Sequence, residues 1–455
     1  MKYTFKHVTL FAIMASLIFT GASCSQSSDP QRSPLPVTIE WWTVFKNTSD
    51  ITPLISAYEA AHPHVNVVVK NIRFEDFKDD LLDALAEDRG PDIFTIHNTE
   101  IEQYKSKISA MPATTTLEEA YQKGTLSKKV YSRKVATPSF TPRYINQTFL
   151  DQVVKDLYQQ NQFWGVPLSV DTLALYYNKA LLAAAGISLP ATNYATLQEH
   201  VLKLTKQSAT GTLTQSGVAM GTANNVERYQ DILSLLMMQN GTEMTNDNGT
   251  PTFQAMPESL GRRETLPAAD ALGFYSDFAS PTKQVYTWNE SRPNSLEAFM
   301  AGSVGYLFGY AYHLPTIKAQ APKLNLGIAK APQITGNTEV NFANYWVEVV
   351  SNKSKNSDVA WNFLQFISQP ENVKLYLEQA KLPTATKTLI DAQKEDVEIG
   401  VFAEQLLTAK SWYQGKNPQV VDETFAQMIN EYKLGTLDVD EILSKAASRI
   451  NQSRR

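Results

Sequence analysis

One cysteine in 455 residues, Cys24, excludes an internal disulfide, and a chain of this length has no need of one. Long apolar runs are equally scarce. Beyond the first two dozen residues, no segment approaches the roughly 18 consecutive apolar residues that a membrane-spanning helix requires. The usual catalytic signatures are missing too: there is no G-x-S-x-G, H-E-x-x-H, Walker loop, G-x-G-x-x-G or C-x-x-C. Charge is modest and nearly balanced, with 41 Lys and Arg against 46 Asp and Glu. That mildly acidic balance argues against nucleic acid and other polyanions as partners. No internal repeat is present. What the chain does have is core-forming material, 43% hydrophobic and 10% aromatic, in a length that favours more than one domain.

The opening "MKYTFKHVTLFAIMASLIFTGASCS" reads as an export signal over residues 1–23. Lys2 and Lys6 supply the positive end, Val8 to Thr20 the apolar stretch, and Gly21-Ala22-Ser23 the small residues before a cut. The apolar stretch is too short for a spanning helix. Cys24 sits where a bacterial lipobox places the cysteine that is lipidated and becomes the mature N-terminus, although Gly21 stands where Leu is usual. Two readings of Cys24 therefore stand: a lipid anchor, or an incidental residue at a plain secretory cut. Residues 24–36, polar and Pro-containing, fit a tether holding a body off a membrane. Removal of residues 1–23 leaves 39 basic against 46 acidic residues, or −7.

"VTIEWWTVF" (37–45) predicts a strand, and apolar residues at Ile51, Leu54, Ile55 and Tyr58 predict a helix that Pro63 stops. "VNVVVKNI" is a second strand. "FEDFKDDLLDALAEDRG" is a helix with Phe74, Phe77, Leu81 and Leu85 inward and Gly90 as its stop, and "PDIFTIH" is a third strand. Alternation of this kind indicates a parallel sheet covered by helices, with ligands meeting the loops at the carboxyl ends of the strands. Those loops carry Trp42-Thr43 and His97-Asn98-Thr99-Glu100. Residues 112–150 are less regular and read as an insertion or a crossing between lobes. Further helices and strands follow, residues 241–267 read as a surface loop, and the last 100 residues are mostly helical.

Few of the remaining polar clusters point to chemistry. "HPH" at 62–64 offers two imidazoles with no third ligand in view, so a solvated turn is the expected reading. Asp79-Asp80 falls on a polar helix face. Met237-Met238 reads as core filling. Asp171 and Glu227 could form a glycosidase pair only at a separation that sequence does not supply.

Five segments in order resemble the extracellular solute-binding proteins of ABC importers, in the sugar-binding family that includes maltose-binding protein. They are "ISAYEAAHPHVNVVV", "DRGPDIFTIHN", "WGVPLSVDTLALYYNKALLAAAGI", "EAFMAGSVGYLFGYAYHLPTI" and "WVEVVSNKSKNSDVAWNFLQFIS", with "VDEILSKAASRI" at the end. The resemblance implies an α/β fold of two lobes, type II-like, each a mainly parallel sheet flanked by helices and joined by a hinge. The first lobe would comprise 37–143 and 345–382, the second 144–344 and 383–455. Such proteins close over ligand by hinge motion.

The same resemblance assigns a site. The segment "VPLSVDTLALYYNK" brings a strand to the cleft, and its acid, Asp171, would face a sugar, since a carboxylate accepts two hydroxyl hydrogen bonds and its charge strengthens them. Tyr176, Tyr177 and Asn178 pack and cap the strand end. Glu227 and Tyr229 align loosely with an acid and aromatic pair, and Tyr312 stands where the family often has Trp after a Gly. Loop position adds Trp42, Asn98, Trp288 and Trp346, with ordinary core as the alternative for each Trp. Aromatic faces suit sugars because the pyranose C–H face is apolar and its rim polar. The expected protein is a monomeric, membrane-tethered receptor that captures a carbohydrate, an oligosaccharide, and delivers it to a permease, with no cofactor, metal or bond cleavage. Three rivals stand beside it: the same fold with a glycerol phosphate, polyamine or other small solute; a secreted carbohydrate-active enzyme; and a surface adhesin.

Overall fold

A computed structural model describes residues 33–124 and 128–454; the expected signal, Cys24 and most of the tether lie outside them. The chain divides into a body, Leu35–Leu117 with Lys134–Arg455, and a second unit that includes Glu118–Arg133. Strands Thr114–Lys123 and Lys129–Pro138 pair as a two-stranded sheet within the less regular stretch expected to be an insertion or a crossing between lobes. Within the second unit, Tyr121 stacks on Tyr131 at 5.7 Å and Arg133 pairs with Glu119 at 3.4 Å.

The body holds two hydrophobic cores. The first surrounds a sheet ordered Val65–Asn71, Val37–Thr43, Ile93–His97, Trp346–Ser351 and Ile108–Ser109. Val37–Thr43 lies parallel to both its neighbours, which demands crossovers, and helices Thr48–Ala61 and Phe74–Ala86 supply them. Ile51, Leu54 and Tyr58 of the first helix and Phe77, Leu81 and Leu85 of the second are buried as their spacing predicts. Phe74, also expected inward, is 53% exposed. The second core surrounds strands Lys206–Gln207, Leu213–Val218, Val304–Gly309, Ala174–Asn178 and Leu326–Lys330.

Both sheets are mixed rather than mainly parallel. Trp346–Ser351 and Ala174–Asn178 each enter a lobe from the hinge and run away from it, against strands that run toward it, so their pairings are antiparallel. Tyr176 and Asn178 pack and cap the strand end as expected. Tyr176 donates its hydroxyl to the Tyr310 carbonyl at 2.6 Å, and the Asn178 side chain accepts from Ala180 N and Leu181 N, starting the next helix.

Core membership moves two of the three expected crossings. Ile145, Phe149, Val153, Leu157 and Phe163 pack in the first core, which runs on to Val170 rather than ending at 143, and Leu173 already belongs to the second. Phe342 packs in the second core and Ala343 in the first. The third lies between Ala409 and Tyr413 rather than at 382, after a boundary segment in which Ile390 and Leu406 join one core and Ile399 and Phe402 the other. The reason is visible at the crossings. Asp171–Thr172, Asn341–Asn344 and Ala409–Lys410 form a three-stranded hinge sheet, which satisfies backbone groups that a bare linker would leave to solvent.

Candidate binding cleft

The body contains a cleft of about 460 Å³ bounded by residues of both lobes and the hinge. From the first lobe come Phe74, Glu75, Phe77 and Lys78 at the start of a helix, His97–Glu100 at the end of a strand, and Tyr104. The hinge gives Phe342, Ala343 and Trp346, and the second lobe gives Arg228, Gln230, Asp231, Ser234 and a stretch from Ser411 to Asp422. These are mainly strand ends and helix starts, where an α/β architecture leaves side chains facing a crevice.

A polar chain crosses this cleft. Thr99 Oγ1 and His97 Nδ1 are 2.7 Å apart, and His97 Nε2 and Asn344 Oδ1 are 2.8 Å apart. Arg228 donates to the same Asn344 oxygen at 3.2 Å and through Nε to Asp231 at 2.6 Å, while the Tyr310 hydroxyl donates to Asp231 at 2.6 Å. Arginine has no acceptor, so the Asn344 atom it meets must be oxygen, and His97 Nε2 must carry the hydrogen. Nδ1 then accepts from Thr99, which describes a neutral ring. Burial, and next to it the Arg228 charge, push His97 down to about 4, in keeping with that tautomer. Burial alone would lower the Arg228 guanidinium too, but Asp231, Tyr310 and Tyr312 hold it above its ordinary value. Arg228 also sits at φ 57°, a conformation that non-glycine residues rarely adopt.

Aromatic rings complete the walls. Trp346 lies among Phe45, His97 and Phe74, with ring centroids at 5.4, 5.3 and 6.0 Å. On the second lobe, Trp412 stacks on Phe425 at 5.8 Å and donates Nε1 to Ser234 at 3.1 Å. Asp422 is exposed to the cleft but walled by protein; desolvation, and then the nearby Asp231, push its carboxyl up to about 6.

Of the eight residues singled out from sequence, Asn98 and Trp346 line the cavity. Asn98 is 4% exposed and its Oδ1 has no partner among the described residues. The other six are placed differently. Asp171 is buried, with Oδ1 accepting from Thr172 N and Ala311 N and Oδ2 from Tyr312 N, so it braces a turn and does not present a free carboxylate. Desolvation, partly opposed by those three N–H groups, raises it to about 7. Trp288 is fully buried in the second core and donates to Asn225 at 3.0 Å. Trp42 packs within the first core, with Lys70 4.0 Å from its ring centroid, and is not among the residues lining the cavity. Glu227 pairs with His313 at 3.1 Å, an interaction that with others holds it below the usual carboxylate range despite partial burial. Tyr229 donates its hydroxyl to the Asp422 carbonyl at 2.7 Å, joining two helices. Tyr312 is exposed, stacked on Tyr310 at 5.5 Å, and is not among the residues lining the cavity.

Sequence reasoning missed Arg228, Asp231, Trp412, Tyr413 and Asp422. A signal existed for some of them: "RYQD" places two opposite charges at i,i+3 on an otherwise apolar helix, and "WYQG" is an aromatic pair in a loop ahead of the Pro-started helix Pro418–Leu434. Among the described residues, no group of three or more His, Cys, Asp or Glu could hold a metal, and no helix is long and apolar enough to cross a membrane.

Residues 44–374 match the family described as bacterial extracellular solute-binding protein. The chain belongs to that family. An extracellular solute-binding protein is exported, and its two-lobe fold recurs in solved structures. A cyclic alpha-maltosyl-1,6-maltose binding protein from Arthrobacter globiformis is similar at TM-score 0.71 and 18% identity, with 92% of this chain and 99% of that one covered. An ABC substrate-binding protein from Listeria monocytogenes in complex with cycloalternan is similar at TM-score 0.67 and 16% identity, covering 92% and 98%. A Brucella abortus protein named only as a binding protein is 25% identical over 318 residues, 68% of this chain and 71% of that one. At these identities the structural likeness speaks for the fold, and the cleft of this solute-binding protein must be read from its own residues.

Proposed function

We propose that this solute-binding protein captures a neutral oligosaccharide in the cleft and delivers it to the permease of an ABC importer, tethered to the membrane through a lipid on Cys24. The observation that carries the ligand class is that Trp346 of the first lobe's sheet and Trp412 of the second lobe line one cavity together with the hydrogen-bonding side chains of Asn98, Gln230 and Asp422. Flat apolar faces with a polar rim between them match a pyranose. The carbohydrates named with fold relatives, cycloalternan and maltotetraose among them, support the same reading. Aromatic side chains line the cavity without filling it, which weighs against a blocked cleft and an adhesin role. Binding proceeds without bond cleavage: Asp171 is engaged by three amides and Glu227 by His313, so neither is poised as a general acid or nucleophile.

One observation favours a second reading. Glu75, Glu100, Asp231 and Asp422 outnumber Arg228 and Lys78 along the walls, a balance that also suits a polyamine. Thermal-shift and calorimetric titration with neutral oligosaccharides, spermidine and glycerol phosphate separates the readings. Stabilisation by oligosaccharide, with the sugar recovered intact, is the expected result. A response to spermidine alone would replace the carbohydrate reading, and steady release of shorter sugars would end the binding-only one.

A further inference from the structure

Phe45 stands just outside the cavity and is 65% exposed, in contact with Phe74, itself 53% exposed, at 5.2 Å and with Trp346 at 5.4 Å. Its backbone is at φ 56°, where a side chain with a Cβ is strained. The chain on either side is pinned inward. Thr43 O accepts from Ile72 N at 2.9 Å, and Lys46 O accepts from Asn71 Nδ2 at 2.6 Å. Lys46 Nζ, nearly buried, pairs at 2.6 Å with fully buried Glu348, whose other oxygen accepts from Trp41 Nε1 and Thr95 Oγ1. With both neighbours anchored, the turn can only display Phe45 outward. A strained backbone, a buried ion pair beneath it and a large ring left in water form a combination that core packing does not call for.

We infer that Phe45, Phe74 and Trp346 form an outer stacking subsite for a further pyranose ring of the ligand, an inference that rests on the carbohydrate reading. Phe74 and Trp346 also line the cavity, so the platform continues from it, and Phe45 extends it beyond. The rings are mutually inclined, at 30° for Phe45 with Phe74, 58° for Phe45 with Trp346 and 80° for Phe74 with Trp346, so they offer faces in several planes and not one flat surface. The cavity then selects an inner unit by hydrogen bonds, and the platform selects for chain length.

The test titrates wild type and Phe45→Gly with malto-, cello- and manno-oligosaccharides of one to four units, with melting curves alongside. Gly accepts positive φ without strain, so the variant should melt at or above the wild-type temperature. Affinity for the longer sugars should fall about five- to twentyfold, with one- and two-unit ligands unchanged, and Phe45→Tyr should restore it. An equal loss at every length, or no loss at any, overturns the subsite while leaving the carbohydrate reading in place. A lower melting temperature with affinities intact shows Phe45 to be a packing residue and also overturns it. Failure of wild type to bind any of these sugars removes the carbohydrate reading and this inference with it.

Discussion

The strongest test of the structure lies at Asp171, where a carboxylate expected in solvent is buried against three amides. Its folded-state value of about 7 lies above the ordinary 3.8, so the folded chain holds a proton that the unfolded chain has already lost. Between those limits unfolding releases a proton, and stability falls as pH rises; above about 7 both states are ionised and the contribution is flat. At about 1.4 kcal/mol per unit, the wild type should lose on the order of 4 kcal/mol through this group between pH 4 and 8. Asp171→Asn cannot ionise. Its amide oxygen can still accept from Thr172 and Ala311, while the Tyr312 N–H loses its acceptor at a cost of about 1–3 kcal/mol. The variant should therefore be less stable than wild type at pH 5 and closer to it, or more stable, at pH 8. Urea denaturation of both proteins at the two values measures the difference, and comparison between them cancels the other raised carboxyls, Asp156, Glu100 and Asp422. Equal pH slopes for the two proteins would refute the burial of a charge at this position.

Other predictions concern the cleft and the anchor. Trp412→Ala should weaken oligosaccharide binding at least about tenfold by calorimetry, and the melting curve will fall as well because the ring also packs on Phe425. Arg228→Lys keeps the charge but loses the fork that meets Asn344 and Asp231 together; affinity should drop about tenfold, and unchanged affinity would detach the polar chain from ligand capture. Cys24→Ser should move the protein from the membrane to the soluble fraction with ligand affinity intact, and continued membrane retention would count against the lipid anchor.

Much of the fold was legible because helices and strands announce themselves through periodicity. Ile51, Leu54 and Tyr58 are spaced for one helix face and are buried on it, and the strand in "PDIFTIH" is mostly apolar because residues 93–96 are buried on both faces. The crossings were not legible, since nothing local distinguishes a strand that stays in its lobe from one that enters the hinge. Residues 144–170 carry no local mark of either lobe, and only their packing against the first core assigns them there. Sheet direction was obscured for the same reason: Trp346–Ser351 reads as any buried strand, and its antiparallel pairing follows from entering at the hinge.

The acids show why a site is harder to read than a fold. A lone carboxylate before an apolar strand has the same sequence appearance whether it faces a ligand or braces a turn, and the choice depends on which amides lie within reach. Asp171 at the first crossing meets three. Asp156, no part of any motif, is buried where the crossings meet and accepts from Gln152, Gln414, Tyr345 and Ser411. Neither is paired with a cation in those contacts, so each carboxyl group is held by neutral donors from separate stretches of the chain, an arrangement that is satisfied only when those stretches are correctly assembled. Acids engaged at the hinge are unavailable to a ligand, and under the proposed reading recognition falls to cavity-lining groups at strand and helix ends: Asn98, Asp422, Trp346 and Trp412. Because Asn344 belongs to a hinge strand and also joins His97 to Arg228, a change in lobe angle that breaks this chain costs His97 and Arg228 their shared acceptor while their bonds to Thr99 and Asp231 remain. Asn344 thereby ties one cleft residue from each lobe to the hinge sheet.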